Sequence, residues 1–481
     1  MWLLNGGGVS FLRRSSRILT FIPTIEFVGK RKGVRNRSSF CSSSGMIKLI
    51  STNMAEKVMS KAQPELMLVS DLDFTMVDHD DPSHQSLLNF NSLWAAEYAH
   101  NSVLVFSSGR SPQRYNELRG QVPLLTPAIH VLSVGTEIFY GLQPDATWLN
   151  LLDQGWNRDI VFEEAKMFPQ LQLQEESEQR PHKISFYLNK EEAPKVQEQL
   201  LSRLQSRQLD VKLIYSGGIA FDVLPKMGGK GEALAYLMRK MKKDGSLSKN
   251  VLVCGDSGND IELFTVEGVH GVIVSNAQEE LIQWYKSHNF INKVYHASER
   301  CAGGIIQALQ NFNFGPHYTS REKIKNNQFD YPEADLQTER LLGDGAAKRE
   351  VIEFNLFLEM WLNGHIENND KSYQRVMGVI AKGATMVYPW GKESNLNEAL
   401  DLIREKHGLM KGKAFMTWID NIQEKKLAEG VYLVTWESWE KFNDGEHKGH
   451  YATAILVSKE KTPNGVEWLR VHETTMNHSL R

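Results

Sequence analysis

Short apolar runs recur from Leu66 onward, each closing on small or charged residues and each separated from the next by helical patterning. They are Leu66–Val69, Val103–Phe106, His130–Ser133, Val251–Val253 and Gly271–Val274. Runs without polar alternation have no solvent face to offer, so they read as strands buried on both sides, as in the middle of a parallel sheet. Helix candidates Ser86–Ala99 and Gly231–Lys242 fall between them. Strand–helix alternation of this kind predicts a doubly wound α/β core.

The rhythm is interrupted twice. Residues 146–216 place a charged helix, Glu191–Arg207, between the strand-like segments Lys183–Leu188 and Val211–Tyr215. That pattern predicts a small α+β unit inserted between the third and fourth core strands, where it can cover the carboxyl edge of the sheet. After Phe314, polar sequence leads to a helix over Glu350–Trp361 and strand-like segments at Thr385–Trp390, Gly430–Trp436, Tyr451–Val457 and Glu467–Val471. Six of the eleven tryptophans lie here, which predicts a second packed α+β domain. The expected division is an extension over 1–63, a core over 64–145 and 217–314, the insertion over 146–216 and a C-terminal domain over 315–481.

Composition narrows the function classes. With 58 acidic and 55 basic residues the net charge is −3, which argues against nucleic acid as a partner. The three cysteines, Cys41, Cys254 and Cys301, lie far apart and suit neither a disulfide framework nor a zinc site. That cysteine usage fits a reducing compartment, and the expected location is the cytoplasm; no apolar run approaches the length of a membrane helix. The first 53 residues hold nine Lys or Arg and one acid, Glu26, with clustered serines. That is the composition of an organelle transit peptide; alternatively the chain starts at Met54, just before the first strand.

Four polar clusters follow the predicted strands. The first is Ser70-Asp71-Leu72-Asp73-Phe74-Thr75. Two acids leaving a buried strand are costly without a compensating cation, although solvated acids in a turn would also account for the pair alone. Mg²⁺ suits such a site because it takes a few carboxylate oxygens together with water and phosphate. The second, Ser107-Ser108-Gly109-Arg110-Ser111, offers a hydroxyl and backbone N–H donors to a phosphate. Lys230 stands among glycines at a helix start, where it serves as a point charge or as an ordinary surface lysine. The fourth, Gly255-Asp256-Ser257-Gly258-Asn259-Asp260, brings a second acidic pair. All four lie at carboxyl ends of strands, where open α/β sheets bind ligands. Together they hold the parts of a phosphoryl-transfer site.

In order and spacing these clusters resemble the haloacid-dehalogenase superfamily. Val69–Asp81, Ser133–Ile138, Glu178–Lys183, Tyr215–Gly218, Gly255–Asp260 and Val274–Leu281 further resemble the plant sucrose-phosphate phosphatases, a likeness that runs from about Leu66 to Val471. The resemblance implies a haloacid-dehalogenase core with an inserted cap and a C-terminal domain similar to nuclear transport factor 2. It implies Asp71 as nucleophile and Asp73 as general acid and base, with Ser108, Gly109 and Lys230 on the phosphate. Mg²⁺ is expected on Asp71, on the Asp73 carbonyl and on Asp256, with Thr75, Asn259 and Asp260 in support. Glu137, His182 and Lys183 are candidate sugar contacts. The implied substrate is sucrose 6-phosphate; another sugar phosphate, or an idle site that docks a synthase, are the alternatives. A homodimer through the C-terminal domain and association with sucrose-phosphate synthase are further expectations. Two departures stand out: Ser108 occupies a position where threonine is usual, and Phe74 one where histidine is usual.

Overall fold

In the computed structural model the described residues are 63–288, 293–317, 319–325, 345–443, 445 and 447–476. The expectations for the N-terminal extension and for most of the polar stretch before Glu350 fall outside them.

The core begins with β1 (Leu66–Ser70), β2 (Ser102–Ser107) and β3 (Ile129–Leu132), followed by a hairpin of β4 (Glu137–Tyr140) and β5 (Gln143–Pro144). The chain then builds a small sheet from β6 (Gln172–Leu173), β7 (Ile184–Tyr187), β8 (Val211–Ser216) and β9 (Ala220–Pro225). It returns to the core for β10 (Asn250–Gly255), β11 (His270–Ile273) and β12 (Val294–His296). The order in the large sheet is β12-β11-β10-β1-β2-β3-β4-β5, parallel from β12 to β3 and antiparallel over the last two pairings. The doubly wound α/β core expected from the apolar runs is therefore present, extended by an antiparallel edge that the sequence reading did not contain.

Alternate residues of the central strands serve two separate cores. Leu66, Leu68, Leu104, Phe106, Leu252 and Cys254 pack on one face. Met67, Val69, Val103, Val105, Val251 and Val253 pack on the other. A strand buried on both faces has to be apolar throughout, which is why these segments show no polar alternation. The chain runs from β1 to β3 on one side of β1 and from β10 to β12 on the other. The carboxyl ends of β1 and β10 therefore flank the point where the strand order reverses, and a crevice opens there.

The small sheet has the order β6-β7-β9-β8 and is entirely antiparallel, with the helix Ala193–Ser206 packed on it through Val196, Leu200 and Leu204. Its last strand runs to Pro225, past the boundary at 216. Gly217 and Gly218, both at positive φ, turn the chain straight back into β9. A tight hairpin at two glycines reads from sequence as an exit from the insertion, whereas here it keeps the chain in the sheet.

The C-terminal part contains the helix Ala346–Leu362 and a six-stranded sheet of β13 (Ile380–Val387), β14 (Glu393–Asn395), β15 (Met416–Ala428), β16 (Val431–Lys441), β17 (Lys448–Ser458) and β18 (Val466–Thr475). Its order is β14-β13-β18-β17-β16-β15. The strand β15, absent from the sequence reading, has its apolar face interrupted by Asp420 and Asn421, and its register shifts between Asp420 and Gln423. Met416, Trp418 and Trp439 enter the same apolar cluster as Leu87, Leu88, Phe90 and Trp94 of the core. Those core residues belong to the helix Gln85–Leu93 and to the π-helical turn Trp94–Tyr98 that continues it, where the sequence reading had a single regular helix. Thr126 adds polar ties, its N–H and hydroxyl both donating to Asp420 Oδ2 at 2.9 and 2.7 Å. No described helix is long and apolar enough to cross a membrane.

Because the two parts share one apolar cluster, they should unfold together. Trp418→Ala is expected to cost about 3 kcal/mol or more through the cavity it leaves and to lower the midpoint of a single thermal transition. Two separated transitions, with only one of them moved, would contradict the shared core.

Candidate active site

The turn after β1 is fixed by its own backbone. The Asp71 N–H donates to the Cys254 carbonyl (3.1 Å), which ties the end of β1 to the end of β10. The Met76 and Val77 N–H groups both donate to the Leu72 carbonyl (3.0 and 2.8 Å), and the Phe74 N–H donates to the Val77 carbonyl (2.8 Å). Phe74 takes φ 57 to close this turn. Both aspartates are thereby presented at the crevice.

Lys230 opens the helix Lys230–Lys243 and has no exposed surface. Its Nζ donates to Asp71 Oδ1 (2.5 Å) and to Asp260 Oδ1 (2.8 Å). The helix start is located by a close backbone approach: a Cβ on Gly135, at φ 83, would lie 2.2 Å from the Gly229 carbonyl oxygen. Asp260 is held by backbone donors, its Oδ2 accepting from the N–H groups of Asp256 and Ser257 (3.1 Å each). It packs over Gly255, where a Cβ would meet the Asp260 Cβ at 2.5 Å. The glycine in the fourth motif is thus a steric requirement of the aspartate that ends it.

Asp256 has the Thr75 hydroxyl as a donor to its Oδ1 (2.9 Å). Ligand oxygens of Asp71, Asp256 and Asp260 lie within 4.8 Å of one another. One ammonium, bonded to two of them, faces three buried carboxylates. Burial pushes the Asp71 carboxyl up to about 7 despite the pull of Lys230. Burial, reinforced by Asp71 and Asp260, pushes Asp256 up to about 8. Burial works against the charge on Lys230, but Asp260 and Asp71 outweigh it and hold the ammonium above its usual range. The negative charge left unmatched at Asp71 and Asp256 is what a divalent cation would neutralise, and an all-oxygen donor set suits Mg²⁺. The residues present therefore fit such an ion.

Asp73 is differently placed. Arg110 holds it with two charge-assisted bonds, from Nε and Nη2 (2.7 Å each), and the His79 Nε2 lies 2.6 Å from its Oδ1. Burial is outweighed by the bonds from His79 and Arg110, so this carboxyl lies well below its usual range. Arg110 and His79 were within the quoted motifs but carried no expected role. Their part depends on a turn that brings residue 79 back onto residue 73, and pattern spacing does not show that.

Ser108 is almost fully buried, its Oγ accepting from the Arg110 N–H (3.2 Å), while Gly109 beside it lines the cleft. Asn259 also lines the cleft and accepts from the Ser257 hydroxyl (3.3 Å). Of the three candidate sugar contacts, Lys183 lines the cleft, paired to Glu178 (2.7 Å). Glu137 does not. Its oxygens are taken by the Arg180 guanidinium (2.7 and 2.8 Å) and the Ser133 hydroxyl (2.6 Å), a contact that fastens the insertion to the core. His182 is buried against Asp153 at 2.7 Å, also away from the cleft lining. Both carboxylate oxygens of Glu137 and the Nε2 of His182 are thus committed to partners within the fold. The cleft has a volume of about 560 Å³, with walls from the core and from the small sheet.

The raised carboxyls give a signed expectation. Between about pH 4, where unfolded carboxyls ionise, and about 7 to 8, the folded chain retains protons at Asp71 and Asp256 that the unfolded chain has lost. Stability from this source falls as pH rises through that window. A cation that displaces those protons then stabilises more. The gain in thermal midpoint on adding Mg²⁺ is expected to be larger at about pH 8 than at about pH 6; a gain independent of pH would count against a cation at these acids.

Comparison with known proteins gives the family. Residues 64–313 match the family described as sucrose-6F-phosphate phosphohydrolase, and residues 347–477 match the C-terminal region described for sucrose-6-phosphate phosphohydrolase. The chain is 46% identical over 413 residues to sucrose-phosphatase 1 of Nicotiana tabacum, covering 85% of this chain and 94% of that protein. It is 46% identical over 420 residues to probable sucrose-phosphatase 2 of Arabidopsis thaliana, covering 87% and 96%. Among solved structures, the sucrose-phosphatase of Synechocystis sp. PCC6803 in complex with sucrose and phosphate is similar at 36% identity and a TM-score of 0.48, over 52% of this chain and 99% of that one. With a family match over more than half its length and such identity across most of the rest, the chain belongs to the sucrose-6F-phosphate phosphohydrolase family.

Proposed function

We propose that this protein hydrolyses sucrose 6-phosphate to sucrose and phosphate through a phosphoryl group carried on Asp71. The observation that supports this most is the Lys230–Asp71 contact at the strand-order reversal. It sets a carboxylate oxygen at the mouth of a cleft, positioned by an ammonium that also balances an incoming phosphate. In this reading Asp71 attacks the phosphorus in line and the sugar oxygen leaves. Water then cleaves the acyl phosphate and regenerates the carboxylate.

Asp73 serves both halves of the cycle. Bound to Arg110 and His79 it is ionised, as a base toward water requires. To act as acid toward the leaving oxygen it has to part from Arg110 and carry a proton, the one it takes from water when the acyl phosphate of the preceding turnover is cleaved. Ser108, Gly109 and Lys230 receive the phosphate oxygens, and Asn259 and Asp260 keep the surrounding loop in place. Asp71, Asp256 and the Asp73 carbonyl would hold Mg²⁺, which when bound supplies charge neutralisation for the transferring group. Arg180–Glu137 and Lys212–Glu262 (2.7 Å each) hold the small sheet over the cleft, limiting water.

Asp71→Asn is expected to keep the fold and to lower phosphate release from sucrose 6-phosphate by at least about a thousandfold. Turnover retained in that variant would remove the covalent route. A panel of sucrose, trehalose, mannosylglycerate and hexose phosphates, ranked by kcat/KM, tests the sugar.

For the C-terminal part we propose a relationship to nuclear transport factor 2, a reading that the helix Ala346–Leu362 packed against β15, β16 and β18 fits, and a role in pairing two copies. Sedimentation at rising concentration is expected to reach the mass of a dimer, and a monomer throughout would oppose it.

A further inference from the structure

Phe74 is the residue of the catalytic turn that the chemistry leaves unused. It is 38% exposed in a cleft lined mostly by acids, cations and polar groups. An aromatic ring left in water forgoes burial worth about 25 cal/mol per Å², and its φ of 57 is unfavourable for a bulky residue. The position is nonetheless tightly determined. Its N–H donates to Val77, and its carbonyl accepts from Asn276 Nδ2 (2.7 Å) and the Cys301 thiol (3.2 Å). Both backbone groups are therefore fixed, and the ring stays where the turn directs it.

The ring is also located relative to the chemistry. It meets the His79 imidazole edge-on, with centroids 5.0 Å apart, and the other side of that link is the His79–Asp73 contact. The small sheet supplies an apolar counterpart to the same cleft in Ile219, 51% exposed in the turn between β8 and β9. Two exposed apolar side chains, one from each wall, line the cleft that Asp71 and Asp73 also line. Sugars present C–H faces between their hydroxyls, and such faces pair with aromatic and aliphatic surface.

We propose that Phe74 is a specificity-determining residue, the platform on which the sugar of the leaving group rests, with Ile219 meeting that sugar from the small-sheet side. The inference rests on the reading of the protein as a sugar-phosphate phosphatase. It differs from the phosphate-binding roles because it concerns the alcohol that departs. It also predicts that affinity for the sugar depends on an apolar contact that a histidine at this position would make less well.

The test compares the unsubstituted protein with Phe74→Ala, Phe74→His and Phe74→Tyr on two substrates: sucrose 6-phosphate and ethyl phosphate, which carries no ring. Phe74→Ala is expected to raise KM for the sugar phosphate by up to about tenfold with a smaller change in kcat. The ratio of kcat/KM between the two substrates should fall accordingly. Phe74→Tyr should restore that ratio, and free sucrose should inhibit Phe74→Ala more weakly than the parent. Equal losses on both substrates would assign the ring to turn geometry and overturn the proposal, as would an unchanged KM. If the unsubstituted protein prefers another sugar phosphate, the sucrose assignment fails on that result alone, and the same variants are then read on the preferred sugar. Should Phe74→Ala fail to fold, the contrast between Phe74→His and Phe74→Tyr decides the matter: equal KM for the sugar phosphate in those two overturns the platform.

Discussion

Lys230 lies with no exposed surface between Asp71 and Asp260, and the active end of the sheet is organised around that ammonium. A buried charge persists only with partners of opposite sign and good geometry. Here the partners come from the turns after β1 and β10, so satisfying one lysine brings together three segments remote in sequence. The same lysine is one cation among three buried carboxylates; burial first, and the neighbouring carboxylates after it, push Asp71 and Asp256 upward. A single arrangement thus explains both why the loops hold their places and why the site suits a divalent cation.

The rest of the fold supports that centre from behind. Both faces of β1 and β10 are buried in separate apolar clusters, which leaves the strand ends little freedom. One cluster includes the helix Gln85–Leu93, entered soon after the catalytic turn, and it is completed by Met416, Trp418 and Trp439. The C-terminal part is consequently packed into the layer that braces the catalytic loops. The small sheet is attached differently, by ion pairs such as Arg180–Glu137 at the rim.

Much of the site could be read from residue order. Asp71, Asp256 and Asp260 follow β1 and β10, and parallel strands of one sheet deliver their carboxyl ends to one edge; Lys230 instead follows β9 of the antiparallel small sheet, and its place was not given by strand order. The core strands were legible for the same reason, since burial on both faces demands unbroken apolar runs. What escaped the sequence was local and three-dimensional. The return of β9 into the small sheet was hidden by a glycine hairpin that also suits a domain exit. The strand β15 was obscured by Asp420 and Asn421, whose places in it depend on a register shift and on Thr126 of the core.

The sequence by itself determined the chemistry available: the acids and the hydroxyl that follow the buried strands of the core and so meet at its carboxyl edge, with a lysine at a glycine-bounded helix start. Tertiary structure alone decided how those groups are held. It placed Arg110 and His79 on Asp73, turned Glu137 and His182 to partners within the fold and left Phe74 facing the cleft. The physical reason is that a side chain's partner depends on turns and on packing between distant segments. Residue spacing records neither.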